Sequence, residues 1–273
     1  MSIQPSQPQS IGGVLDTTFQ LYKASLVKMI PLSLLMVIAG SPPSIYLFSR
    51  GAAVGGNPAD PFAMLSVMQG GGYWVSALIS MLASVWMLSA AYLKIGAIGN
   101  GEDLGVGAAV GRALPRLPAL ILMMILFGIA LTVGFILLII PCLILMVSLW
   151  LCFNTAMFED KGPVDALTES HRLVWGNWWR TAAILTVGFV IIFVIYLIAG
   201  LIIGLITPFL IFGGGGTENV LLISLISGLL IGVLMNILMT PFYISLAIAI
   251  YWDLKLRKDG GDLAARVGAL NPA

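Results

Sequence analysis

The chain has 273 residues, of which 59% are apolar and only 9% are Asp, Glu, Lys or Arg. Soluble domains carry about 25% charged residues, so this composition excludes a water-facing surface and with it a soluble enzyme. A net charge of +1 with no basic patch excludes a nucleic-acid partner.

The first ten residues, Met1 to Ser10, hold no basic group and no hydrophobic core, so they do not read as a cleavable signal peptide. Their Gln and Pro content predicts a disordered tail over 1–10. Beyond it, charge-free stretches cover 29–49, 61–93, 117–158, 181–217 and 219–252. Uncharged apolar runs of this length read as membrane spans, since a hydrocarbon core of about 30 Å needs ~20 helical residues.

The fold class expected is therefore all-α, a polytopic bundle of six spans. The first covers 30–49, with Pro31 at a helix start, and the second covers 73–93 after a Gly/Pro-rich loop. The 42-residue run is too long for one helix and is expected to break at Pro141, giving spans over 118–140 and 142–158. The fifth covers 181–206, ended by Pro208 and the Gly213–Gly216 tract. The sixth, 220–251, would measure roughly 48 Å if straight, so it needs tilt or a kink at Pro241. A cytoplasmic tail follows over 253–273.

Orientation follows from basic residues. With the N-terminus inside, the inner segments hold twelve Lys and Arg, from Lys23 to Arg266, and the outer loops hold only Arg50. This bias places both termini in the cytoplasm.

An amphipathic helix is expected before each odd-numbered span. Val14, Leu15, Phe19, Tyr22 and Leu26 recur at helical spacing before the first. Val106, Val110 and Leu114 precede the third, followed by Arg112 and Arg116. Val164, Leu167, His171, Val174 and Trp178 precede the fifth, opposite Asp165, Glu169 and Arg172. Helices of this kind lie in the membrane interface, and together they describe three helix-plus-hairpin units.

Chemistry is sparsely represented. One histidine, His171, excludes a site needing two, and no cofactor or metal centre is expected. Cys142 and Cys152 are ten residues apart, roughly 15 Å on one helix and too far for a disulfide. All carboxylates fall in loops, tails or helix ends. The intramembrane polar groups are Asn154, Asn236 and Thr240, with Pro241 beside them; a polar notch there is the sharper reading and helix packing the plainer one. Ser224, Gly228, Gly232, Asn236 and Thr240 recur every four residues, and Gly200 and Gly204 form a second small-residue pair.

Three segments carry more specific patterns. Gly162 to Arg180 holds Ala166-Leu167, Ser170, Arg172-Leu173, Gly176-Asn177 and Trp179-Arg180. The others are Ile11 to Lys23 and Tyr251-Trp-Asp-Leu-Lys-Leu-Arg-Lys-Asp-Gly-Gly-Asp-Leu263. Together they resemble the YciC-like group of bacterial inner-membrane proteins and the related membrane domain attached to some glycerophosphodiester phosphodiesterases. The resemblance implies a six-span bacterial inner-membrane protein; it transfers no activity, because nothing here corresponds to that catalytic domain.

Read physically, Trp175, Trp178 and Trp179 are interfacial anchors, Arg172 and Arg180 reach lipid phosphates, and Asn177 caps the turn into the fifth span. Tyr251 and Trp252 mark the membrane boundary, and Asp253 and Arg257 have the spacing of a helical ion pair. The same residues suit a docking site for a lipid headgroup or a cytoplasmic protein. The expected function is non-enzymatic: a scaffold, assembly or lipid-interacting factor whose partners are membrane lipids, other membrane proteins or a second copy. A transporter or channel for a neutral or lipophilic solute, using a kinked sixth helix, is the alternative.

Overall fold

The computed structural model describes residues 2–53, 61–210 and 220–270. All regular structure among them is helical. The helices are α1 (Ile11–Gly40), α2 (Pro42–Ala53), α3 (Pro61–Met68), α4 (Gly71–Gly99) and α5 (Val106–Ala113). A 3-10 turn at Leu114–Arg116 leads to α6 (Leu117–Leu137), α7 (Ile139–Ser148) and α8 (Cys152–Phe158). They are followed by α9 (Pro163–Val174), α10 (Trp178–Leu210) and α11 (Val220–Leu270). Among the described residues six segments are long and apolar enough to cross a membrane, in α1, α4, α5–α6, α7–α8, α10 and α11, so the chain is a multi-pass integral membrane protein.

Helix ends depart from the sequence reading where proline was expected to set them. Pro31 lies inside α1, which takes in the amphipathic approach and the first part of the expected span as one helix. That helix ends instead at Gly40: Ser41 keeps helical geometry (φ −78°, ψ −24°) and its N–H turns back to the Ile38 carbonyl, and Pro42 has no N–H with which to continue the ladder. Pro42 then starts α2, so the uncharged run to Ser49 is two helices. The α6–α7 break falls at Leu138, whose backbone is extended, and Pro141 is accommodated in the first turn of α7, where an N–H has no intrahelical partner. The helix α10 runs past Pro208 to Leu210; the Gly213–Gly216 tract lies outside the described residues. Pro241 is inside α11, which continues through the expected tail to Leu270.

Burial is concentrated at one end. The segment Ile244 to Leu254 of α11 is buried on every side, packed chiefly against α1 and α10, with α4 alongside. Two glycines permit this approach: a Cβ at Gly99 would overlap the Trp252 ring, and one at Gly188 would overlap Leu246. Away from that end the helices expose large apolar side chains, among them Leu122, Ile125 and Ile129 of α6 and Phe193, Leu197 and Leu205 of α10. Lipid solvates such faces, so they need no protein cover.

The N-terminal segment is not a free tail. The Ile3 N–H donates to the Gly99 carbonyl (2.8 Å), and Gln9 is held by groups on α10 and α11. The expected disorder gives way because this polar segment adds a partner for the Gly99 carbonyl and for the buried Asp253 carboxylate.

Candidate functional site

Many of the ionisable groups among the described residues assemble into two networks at the buried end. In the first, Asp253 of α11 is only 1% exposed. Its Oδ2 accepts from Arg180 (2.9 Å) at the start of α10 and from Arg257 (3.0 Å) one turn along α11. Its Oδ1 accepts from the Gln9 N–H (2.7 Å). The Gln9 carbonyl accepts in turn from both guanidiniums, and its side-chain oxygen accepts from the Thr17 hydroxyl (3.0 Å). A buried carboxylate is thus compensated by two cations and a backbone amide, the condition under which a buried charge is tolerated.

The second network joins α8, α9 and α11. Glu159 follows α8 and accepts from Tyr251 (2.8 Å), Lys255 (2.7 Å) and Lys161 (2.9 Å). Lys161 also bonds Glu169 (2.9 Å), which Arg172 grips at 2.7 Å, and Lys258 donates to the Arg172 carbonyl. Burial alone would raise the Glu159 carboxyl, but hydrogen bonds from Lys255, Lys161 and Tyr251 outweigh it and hold it at about 2. Burial opposes ionisation of Glu169 as well, and Arg172 and Lys161 bring it below the ordinary range. The same contacts keep Lys161 charged against its own desolvation.

A third arrangement is neutral. Between α7 and α8 the chain breaks at Leu149–Leu151, inside a run expected to be one span. Ser170 of α9 fills the break: its hydroxyl donates to the Ser148 carbonyl (2.9 Å) and accepts from the Leu151 N–H (3.1 Å). One turn away, the Thr155 hydroxyl donates to the Ala166 carbonyl (2.8 Å). Backbone groups freed at a break in an apolar setting need such partners. The inward face of α9 is therefore Ala166, Glu169, Ser170, Leu173 and Val174. It is rotated from the expected one: Glu169 lies inside and Val164 outside.

The aromatic anchors divide. Trp175 (60% exposed) and Trp179 (82%) stand on the surface; Trp178 packs edge-on to Trp179 and donates to the Ile144 carbonyl (3.3 Å). With Ile140 and Ile144 they line an apolar groove of about 430 Å³. Gly176, at φ 96°, makes the turn into α10, where L-residues are strained. Asn177 serves through its carbonyl, which accepts from the Thr181 N–H (2.9 Å) and hydroxyl (3.0 Å). Tyr251 and Trp252, expected at a membrane boundary, are buried, because Gly99 opens room for the indole and Glu159 meets the phenol. Arg172 and Arg180, expected on lipid phosphates, are bonded to carboxylates of the chain itself.

The intramembrane polar residues are not brought into one site. Asn154 of α8 is fully buried, with neither amide atom hydrogen-bonded. Asn236 of α11 has its Oδ1 buried in the same state, Thr240 is half-buried one turn on, and Pro241 is buried. The small-residue stripe does not make close helix contacts among the described residues: Gly200, Gly204, Gly228 and Gly232 have no neighbour within 4 Å of a Cβ. Cys142 and Cys152 are free thiols.

Sequence reasoning missed Gln9, Glu159, Lys161 and Ser170 as organising residues. Only Ser170 carried a signal, as a hydroxyl on a helix face directed at an apolar run. No curated protein and no solved structure matches the chain. A family model described as a domain of unknown function (DUF7847) matches residues 73–246, a region that contains only one of the three patterned segments, and the chain belongs to that family.

Proposed function

We propose that the chain is a non-enzymatic protein of the bacterial inner membrane, with both termini in the cytoplasm, that acts on lipids or neighbouring membrane proteins as a scaffold, assembly or lipid-interacting factor. The observation that carries this reading is the distribution of polarity. The two networks gather carboxylates and cations at the end shared by Gln9 and residues 251–258 of α11. The helices leaving that end present exposed Leu, Ile and Phe. Groups that would move a proton or a charged solute belong at membrane depth. Here the ionised groups pair with one another instead, which is a structural use. The count of twelve inner to one outer Lys and Arg supports the orientation. The YciC-like resemblance supports the bacterial inner membrane. The open faces at Gly200, Gly204, Gly228 and Gly232 suit association with a second copy or another span.

The transporter reading draws on Asn154 and Asn236, whose buried polar atoms lack partners among the described residues. One experiment separates the two. The purified chain is reconstituted in proteoliposomes for solute flux, and its retained lipids are identified by mass spectrometry. A defined retained lipid with no saturable flux is the expected result; saturable flux abolished by Asn236→Leu would replace this function with transport.

A further inference from the structure

We infer that the cleft between the α5–α6 junction and the α8–α9 turn binds the phosphate of an anionic phospholipid, with Arg112 and Arg116 as its cationic partners. This rests on the lipid-interacting reading and gives it a place and a ligand class. Two adjoining cavities, of about 260 and 640 Å³, share Pro115, Arg116 and Asp160 as walls. The smaller has an apolar floor of Leu120, Met123 and Ala156, all buried. The larger has Arg112 at its lip, exposed.

The charges at the lip do not cancel. Arg116 donates one nitrogen to the Met157 carbonyl and another to Asp160 (3.0 Å), which fixes the guanidinium and leaves further N–H donors of its five. Lys161, on the same wall, is matched by Glu159 and Glu169. In the larger cavity, what remains is two guanidiniums against the carboxylate of Asp160; Asp165, whose Oδ2 lies beside Gly162, borders the smaller cavity. The cations first expected to meet headgroups, Arg172 and Arg180, are held by Glu169 and Asp253, so the positive charge in this cleft comes from Arg112 and Arg116.

An amphiphile follows from what lies beside the charge. The cleft opens at the first turn of α6, and from there Leu122, Ile125 and Ile129 present an exposed apolar face. A phosphate seated between Arg112 and Arg116 would lay its chain along that face, with the floor under the glycerol end. Inorganic phosphate could use the guanidiniums but gains nothing from the apolar surface, and a zwitterionic lipid brings its own cation.

The test is native mass spectrometry of the full-length chain released from nanodiscs of phosphatidylcholine and phosphatidylglycerol in equal parts, with inorganic phosphate as a separate arm. Wild type is expected to retain phosphatidylglycerol in preference to phosphatidylcholine, and Arg112→Gln to lose about fivefold of that preference, the effect of one basic residue near an anionic surface. Lys23→Gln, an exposed cation on α1 outside the cleft, is expected to leave it unchanged, as is Arg112→Lys, which retains the charge. Unchanged melting of Arg112→Gln shows the fold intact. Equal retention by Arg112→Gln and wild type overturns the site while leaving a lipid-interacting protein. Displacement of the lipid by millimolar inorganic phosphate overturns the amphiphile. No preference in wild type overturns both the site and the reading it rests on.

Discussion

Asp253 shows what a single residue does in this fold. Its carboxylate is buried and holds α10, α11 and the N-terminal segment together through Arg180, Arg257 and Gln9. Removing its charge leaves two guanidiniums facing each other without an anion, a loss of about 3 kcal/mol for a buried pair broken on one side. Asp253→Asn is therefore expected to lower the unfolding midpoint in detergent and to release the first ten residues to protease; an unchanged midpoint would contradict the role given to the network. Glu159 makes a pH prediction. Its carboxyl, with an ordinary value of 4.5, is held at about 2 in the folded chain, so its contribution to stability is complete above about pH 4.5 and lost as pH falls through about 2. Melting followed between pH 6 and 2 is expected to show this acid loss in wild type and a shallower one in Glu159→Gln. The Asp253–Arg257 spacing was legible in the sequence because it is local. The Arg180 and Gln9 contacts, at separations of 73 and 244 residues, were not, since they exist only once α10 and α11 are antiparallel.

Among the elements, the broken helix α7–α8 and the helix that mends it are the least ordinary. Ser170 satisfies a buried N–H and a buried carbonyl at once, and deleting its hydroxyl leaves both unpaired at a cost of about 1–3 kcal/mol. Ser170→Ala is expected to destabilise by that amount and to speed hydrogen exchange at the Leu151 amide, whereas exchange as slow as wild type would mean the break is held otherwise. Gly176→Ala, at φ 96°, should cost about 1–2 kcal/mol through backbone strain, read in the same melting assay. Helix number and approximate position were legible, because a lipid-solvated helix must carry an uncharged run of fixed length. The breaks were not, because proline is tolerated in a first turn and so signals a helix start as readily as an end: Pro42 and Pro141 both stand at the beginning of helices. The rotation of α9 was misread for a related reason. Its buried Glu169 is polar, and periodicity counts only apolar residues.

For the molecule as a whole, the organising fact is a charged, protein-buried end joined to an apolar, exposed remainder. Uncharged sequence cannot distinguish the two states, since a stretch such as Ile244 to Trp252 buries itself in protein while Phe193 to Ile202 is largely exposed, and neither carries a charge. The orientation of that charged end decides whether the networks face the cytoplasm. Cysteine labelling measures this directly, in a background lacking Cys142 and Cys152. The variants Lys258→Cys, in the C-terminal part of α11, and Arg50→Cys, in the last turn of α2, are exposed in intact spheroplasts to a membrane-impermeant maleimide. Labelling of Arg50→Cys alone, with Lys258→Cys reacting only after the membrane is opened, is the expected result; labelling of Lys258→Cys from outside would contradict the orientation and the role built on it.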